Sequence, residues 1–343
     1  MQDLLLPDGF LEQSREGVII DVRTPSEFSS GHIPGAVNLP IFTDDERAEV
    51  GTLYVKEGKD KAVEKGLERV GPKLATFVRQ ARQLSEGKPL FLYCWRGGMR
   101  SASMAWLFRT AGFKTYLLEG GYKAYRHSFE QLLSAHSWKL IVLGGPTGCG
   151  KTDILHHLQS TGQQVINLEG LACHKGSAFG SLGESKQPST EQFGNELHNC
   201  MRKMNPQKPV WCEGESLNIG QVYIPNEFYA LMKSGLFIQF ELKTGFRLKQ
   251  ILKDYGHFPA NELIVSFQKL EKRLGREATS NAIEHIMKNE LEEAIAIAIH
   301  YYDKGYESSI LKQWPQTHTF VANSDKPETN ARKLLEFYTT ISN

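Results

Sequence analysis

Lys139-Leu140-Ile141-Val142-Leu143, then Gly145-Pro146-Thr147-Gly148-Cys149-Gly150-Lys151-Thr152, decides the fold of the larger part of the chain. The first five residues read as a buried strand. The next eight fit G-x-x-x-x-G-K-[ST] at every fixed position, and a helical pattern from Lys151 to Leu158 follows. Strand, glycine-rich loop and helix in that order are the setting in which this motif cradles phosphate. Gly145, Gly148 and Gly150 let the backbone curl so that successive N–H groups point at an anion. The helix N-terminus adds positive potential. Lys151 neutralises the outer phosphate, and the Thr152 hydroxyl can hold Mg²⁺. Nucleotide is the default ligand of such a P-loop, but any diphosphate satisfies the same nest.

C-terminal to this loop the α/β alternation continues. Gln164–Leu168, Pro209–Cys212 and Leu236–Phe240 read as further buried strands, and from about Arg247 the pattern is mostly helical, including Leu291–Tyr302. Glu213 and Glu215 follow the strand at Val210–Cys212, where a metal-supporting acid often stands. A surface or capping carboxylate explains them equally well, and both readings stay open.

N-terminal to it, Val18–Val22, Leu90–Tyr93 and Lys114–Leu118 read as strands, with a helical pattern over Leu74–Leu84. Strands alternating with helices imply a parallel sheet. The run Tyr93-Cys94-Trp95-Arg96-Gly97-Gly98-Met99-Arg100-Ser101 places Cys94 at a strand-to-helix turn, because Met104, Leu107, Phe108 and Ala111 then recur at helical spacing. Gly97 and Gly98 let the loop wrap its N–H groups into an anion nest around the sulfur, and Arg96 and Arg100 add positive charge. All three effects favour thiolate over thiol. Cys149 reads as a small filler within its loop, and Cys173, Cys200 and Cys212 as structural. His32, His174 and His198 are available as acid–base groups, but a lone histidine is more often structural.

Composition bounds the rest. The chain has 343 residues, 40% hydrophobic and 23% charged, with a formal net charge of +1. That length exceeds one ordinary core and suggests two domains, 8–134 and 138–343. The near-neutral balance excludes a chain that is basic over its whole surface, so any RNA contact must be local. Lys233, Lys243, Arg247, Lys249, Lys253, Lys269, Lys272, Arg273 and Arg276 form one candidate patch, with solvated helix faces as the competing reading. Five cysteines at irregular spacing, without C-x-x-C, argue against a disulfide framework or a zinc site. No apolar run approaches a membrane span, and Met1–Phe10 lacks a basic n-region. A cytoplasmic location is the expectation, where a free thiol can act as nucleophile.

These stretches carry a resemblance. Asp21-Val22-Arg23-Thr24-Pro25-Ser26-Glu27-Phe28 and Gly31-His32-Ile33-Pro34-Gly35-Ala36 resemble the opening signature of rhodanese domains, and Cys94 falls where those domains keep their sulfur-carrying cysteine. The whole chain is similar to the tRNA 2-selenouridine synthase family, which joins a rhodanese domain to a P-loop domain in this order. Glu46-Arg47, Gly51–Tyr54, Tyr93–Ser101, Gly120–Arg126, Leu168–Ala172, His174–Ser177 with Phe179-Gly180, Gln187–Ser189 and Tyr301–Asp303 match that family. Cys173 departs from it, standing where the family has Asn, and Gly214, Leu217 and Asn218 interrupt a more charged stretch after Glu213. The expected fold is an N-terminal rhodanese-like parallel-sheet domain, then a P-loop NTPase-like α/β domain with a helical C-terminal part.

The resemblance implies an enzyme that converts 2-thiouridine at the tRNA wobble position to 2-selenouridine through an S-geranyl-2-thiouridine intermediate. Geranyl diphosphate and selenophosphate are the implied co-substrates, the anticodon loop of tRNA the partner, and the selenophosphate-producing enzyme a further candidate partner. Gly145, Gly148, Gly150, Lys151 and Thr152 would bind the diphosphate leaving group. Cys94 would carry selenium as a selenyl adduct, with Arg96 and Arg100 holding the anion. Three rivals stand beside this reading. A rhodanese-type sulfurtransferase fused to an NTPase would turn over thiosulfate. A C-x₅-R phosphatase fused to a kinase-like domain would use Cys94 and Arg100, with five residues between them, although Tyr93 rather than His precedes the cysteine. A non-catalytic binding scaffold would have no reason to keep Cys94, Lys151 and Thr152 together.

Overall fold

The computed structural model describes residues 4–314 and 316–342. The chain divides between Ala135 and His136 into two compact units. In the first, the elements run β1 (Leu4–Leu5), α1 (Pro7–Gln13), β2 (Val18–Asp21), α2 (Pro25–Ser30), β3 (Val37–Asn38), α3 (Asp44–Lys56), α4 (Lys59–Val70), α5 (Leu74–Ser85), β4 (Leu90–Tyr93), α6 (Met99–Thr110), β5 (Thr115–Leu118) and α7 (Gly121–Ser134). The strands form one sheet in the order β1-β5-β4-β2-β3, every pair parallel.

Alternation along β4 explains its place. Leu90, Leu92 and Cys94 join Ile20, Val22, Met104 and Phe108 in the core on one face. Phe91 and Tyr93 join Phe10, Ile33, Tyr122 and Tyr125 on the other. Side chains on a strand point to opposite faces in turn, so the same register that buries Leu90 and Leu92 also fixes Cys94. A parallel strand covered on both faces reads as a continuous apolar run, which is why β4 was visible in the sequence. Helix α2 starts where Thr24 and Glu27 close a capping box with Pro25 at the first helical position.

The second unit contains β6 (Leu140–Gly144), α8 (Lys151–Ser160), β7 (Gln164–Ile166), α9 (Leu168–Ala172), α10 (Thr190–Met201), β8 (Val210–Glu213), the hairpin pair β9 (Asn218–Ile219) and β10 (Val222–Tyr223), α11 (Asn226–Ser234), β11 (Leu236–Leu242), α12 (Thr244–Tyr255), α13 (Ala260–Leu274), α14 (Arg276–Met287), α15 (Leu291–Gln313), β12 (Thr317–Ala322) and α16 (Pro327–Ile341). Its main sheet has the order β12-β11-β6-β8-β7, again parallel throughout. Ile141, Leu143, Ile154, Leu158, Trp211 and Phe240 pack one core against this sheet. A separate cluster holds α12, α13, α14 and α15 together around Phe267, Leu270, Ala282 and Ile295.

One expectation needs correction. Leu168 opens helix α9 rather than ending a strand, because the Asn167 side chain accepts the Gly170 N–H at 2.6 Å and caps the helix. The C-terminal part is mostly helical, as expected, and β12 adds an edge strand beside β11. Its polar residues, Thr317, His318 and Thr319, disguise it as a loop. The departure at residue 173 also has a backbone meaning. Cys173 ends α9 with φ 49° and ψ 46°, the left-handed region where Asn is favoured over other side chains. Cys173→Asn is therefore expected to stabilise the protein by up to roughly 1 kcal/mol, read as a higher melting temperature; an unchanged or lower value would refute the strain.

Candidate functional sites

In the first unit, the Cys94 loop is held by a second loop at residues 119–122. The Tyr122 N–H donates to the Cys94 carbonyl at 2.9 Å, and the Lys123 N–H to the Trp95 carbonyl at 3.0 Å. Gly121 makes this contact feasible. Its φ is +62°, and a Cβ there would stand 2.3 Å from both the Cys94 carbonyl oxygen and the Gly97 nitrogen. Cys94 itself is 3% exposed. Its Sγ lies 3.2 Å from the Ser101 hydroxyl, in the first turn of α6, and Ser101 also bonds the Gly98 carbonyl. The sulfur thus sits at a helix N-terminus, as the sequence suggested, with a hydroxyl that no motif announced.

The two arginines behave differently from each other. Arg96 is exposed. Arg100 pairs with Glu27, Nη1 to Oε2 at 2.7 Å. Burial opposes the charge on Glu27, but Arg100 and the Thr24 N–H outweigh it and hold its carboxyl below the ordinary range. The Arg100 charge is therefore shared with a carboxylate rather than left for the sulfur. Behind the loop, Arg23 forms a buried fork with Asp21, at 2.6 Å, and lies 3.9 Å over the Tyr122 ring. The rhodanese-like signature and the cysteine loop are one packed assembly.

In the second unit, Gly148 has φ +78°, and a Cβ there would meet Ile251 at 2.5 Å and the Arg247 carbonyl at 3.1 Å. Lys151 Nζ donates to the Gly145 carbonyl at 2.9 Å, and Thr152 Oγ1 donates to Glu169 Oε2 at 3.0 Å. Lys151, Thr152, Glu169, Glu215, Lys175 and Arg273 line a cleft of about 520 Å³. Burial disfavours the Lys151 charge, yet the groups around it, Glu169 and Glu215 among them, hold its ammonium above the ordinary lysine range. Glu215 is pushed up by burial and by Glu169. Glu213 is fully buried; its Oε2 accepts the Leu168 N–H at 2.8 Å and its Oε1 has no hydrogen-bond partner. Burial, reinforced by Glu169, raises its carboxyl to about 8. Among the described residues no three His, Cys, Asp or Glu side chains form a metal cage. Mg²⁺ does not require one, since it is commonly held by one or two carboxylates with phosphate oxygens. Thr152, Glu169 and Glu215 supply hard oxygen donors of that kind.

Glu169 and Arg247 were not legible as site residues. Arg247 is buried, its Nε donates to the Thr147 carbonyl at 3.0 Å, and its two terminal nitrogens bind Asp303 at 2.9 and 2.7 Å. It braces the P-loop from α12, so it does not belong to an exposed basic patch. Lys233 is also withdrawn, stacked 3.7 Å over Trp314. The exposed remainder includes Lys249, Lys269, Lys272 and Arg276. Cys149 and Cys212 are buried, and burial pushes both thiols up, as suits inert sulfur.

Two outcomes are expected. Gly121→Ala should lower the stability of the first unit by roughly 2 kcal/mol or more, since the clash is with backbone and the φ is left-handed. A denaturant midpoint equal to that of the unaltered protein would contradict the loop-to-loop contact. The second concerns pH. A carboxyl whose folded pKa stands above its unfolded value near 4.5 imposes no penalty in acid and destabilises progressively as pH rises toward about 8. Glu213→Gln keeps the acceptor for Leu168 and removes that ionisation. Its melting temperature relative to the unaltered protein should climb between pH 5 and pH 8.5; a difference independent of pH would mean that Glu213 is not held neutral.

Family models match both units: the rhodanese-like domain over residues 7–128 and the tRNA 2-selenouridine synthase AAA domain over residues 138–331. Proteins described as tRNA 2-selenouridine synthase are similar in sequence. That of Nitrosomonas europaea is 38% identical over 244 residues, covering 69% of this chain and 63% of the relative. That of Bdellovibrio bacteriovorus is 40% identical over 247 residues, covering 69% and 64%. The chain thus spans a little under two thirds of the length of these relatives. Among solved structures, the N-terminal domain of a Clostridium difficile 630 protein is 39% identical, covers 36% of this chain and 97% of its own, and has a TM-score of 0.34. With a matching domain model over more than half of its residues and relatives of this identity, the chain belongs to the tRNA 2-selenouridine synthase family.

Proposed function

We propose that the protein is a tRNA-modifying enzyme that replaces the sulfur of a wobble 2-thiouridine by selenium in two stages, using geranyl diphosphate and then selenophosphate. The observation that carries this reading is the pairing, within one chain of this family, of a thiol at a helix N-terminus with a lysine-bearing diphosphate nest. In the first stage the thiouridine sulfur forms a bond to the geranyl carbon while the C–O bond to diphosphate breaks. Lys151 and the N–H groups of residues 148–152 stabilise the charge on the departing oxygens, where preorganised donors act best. Mg²⁺ would be held by Thr152 with Glu169 or Glu215 and would neutralise further diphosphate charge.

In the second stage selenophosphate, held beside the Cys94 thiol, forms a bond from selenium to C2. The P–Se bond then breaks with its electron pair left on selenium as water takes the phosphoryl group, so phosphate leaves and no oxidation state changes. The C2–S bond breaks and geranylthiol leaves, a better leaving group than sulfide. The Ser101 hydroxyl, 3.2 Å from Sγ, and the head of α6 bound the place where selenium would be held. The alternative C-x₅-R phosphatase is disfavoured by the ion pair of Arg100 with Glu27, which occupies the guanidinium such an enzyme turns toward phosphate.

The test is mass spectrometry of nucleosides from a 2-thiouridine tRNA incubated with the protein, first with geranyl diphosphate and then with selenophosphate. Cys94→Ala should still yield the geranylated nucleoside and lose at least 100-fold in selenouridine formation. Lys151→Ala should lose geranylation by a similar factor. Equal loss of both stages in the Cys94 variant would overturn the division of labour, and no modified nucleoside with the unaltered protein would overturn the reading itself.

A further inference from the structure

The residue after Cys94 is an exposed tryptophan. Cys94 is 3% exposed and Trp95 37%. The indole is nonetheless well anchored. Its backbone carbonyl accepts the Lys123 N–H at 3.0 Å. Its ring centroid stands 5.7 Å from that of Tyr122 and 5.9 Å from the Arg23 guanidinium carbon. Tyr122 and Arg23 are themselves buried, and Arg23 is locked in its fork with Asp21. Trp95 is therefore held from behind and open in front.

An indole in this position leaves apolar surface in water, and a ligand that covers it recovers that loss. The neighbouring charges say which ligand. Arg96 follows Trp95 in sequence, Lys123 is tied to its carbonyl, and both are exposed. On the acidic side, Glu27 is already engaged by Arg100, and Glu119 is the one acid of the 119–122 loop. A ring flanked by two cations matches a single-stranded polyanion whose bases are splayed from the backbone. An apolar protein surface would strip water from both cations and give them no partners.

The reaction adds a geometric demand. Because Sγ is recessed, C2 of the pyrimidine has to be brought edge-on to the loop, and the ring plane must stay fixed while the C2 substituent changes. Stacking fixes a plane without using the edge atoms of the ring. It is worth roughly five- to 150-fold in affinity per base. We infer that Trp95 is the platform on which the target uracil ring stacks at the Cys94 site, with Arg96 and Lys123 on the flanking phosphates. The inference rests on the reading of Cys94 as the selenium-transfer site. It gives Trp95 contact with the base and no part in the bonds that form or break.

Binding of two RNA hairpins to the full chain tests this, one carrying S-geranyl-2-thiouridine at the target position and the other an abasic nucleotide there. The unaltered protein should prefer the base-bearing hairpin at least tenfold. Trp95→Leu keeps apolar bulk against Tyr122 but removes the ring, and should cut that preference at least fivefold. Trp95→Phe should restore it to within twofold. With selenophosphate added, Trp95→Leu should lower kcat/KM for selenouridine formation at least fivefold. A preference unchanged by Trp95→Leu overturns the platform in either form: equal loss on both hairpins would put Trp95 elsewhere on the RNA, and no loss on either would leave the indole to a protein partner. No selenouridine from the unaltered protein, while the preference still falls in Trp95→Leu, would instead overturn the Cys94 reading alone. Should Trp95→Leu not fold, Arg96→Ala combined with Lys123→Ala serves. Affinity for both hairpins should fall at least threefold and depend less on salt, and unchanged affinity overturns the assignment.

Discussion

A parallel strand buried on both faces must release its chain at the carboxyl edge of the sheet, and the next helix begins there with unpaired N–H groups. This constraint produces both candidate sites. Strand β4 lies between β5 and β2, and β6 lies between β11 and β8. Each has neighbours on both sides, so neither can shift register without breaking two ladders. The sulfur of Cys94 and the loop at 145–150 therefore stand where the sheets hold them most firmly. What differs is the chemistry added at the turn, a thiol in one unit and an ammonium in the other.

The second unit also has to keep several charges in a small space. Glu169 and Glu215 both act on the ionisation of Lys151 and of Glu213, and Glu169 and Lys151 act on that of Glu215. Only some of those charges can be expressed together. Burial, reinforced by Glu169, keeps Glu213 protonated near neutrality, which relieves repulsion among the carboxyl groups. Arg247 and Asp303 act one step back. Their bidentate contact ties α15 to α12, and the Arg247 bond to Thr147 transmits that tie to the loop. Anything that moves these helices moves the anion nest.

The legible parts of the sequence were local. Leu90–Tyr93 announced itself by unbroken apolarity, the P-loop by its glycines and lysine, and the cysteine turn by the helical spacing after Ser101. The illegible parts are pairings across long separations. Glu27 meets Arg100 from 73 residues away, and Arg247 meets Asp303 from 56. No periodicity encodes such contacts, so Arg100 read as a free charge and Arg247 as part of a surface patch. Strand β12 was hidden for another reason: an edge strand with one open face tolerates Thr and His, which read equally well as loop. Asn167 was the one misjudged position with a usable signal, since its side chain is a strong helix cap.

The contact between the loops at 94–98 and 119–122 has a consequence for how this part of the molecule can change over generations. Gly97 and Gly121 touch through backbone alone, and a Cβ on Gly97 would meet the Leu118 carbonyl oxygen at 2.8 Å. Neither position can acquire a side chain while the other loop stays where it is. The two glycines behave as a single heritable unit separated by 23 intervening residues. A lineage that alters the nest around the sulfur must remodel both segments together, whereas the exposed side chain of Arg96 is under no such backbone constraint.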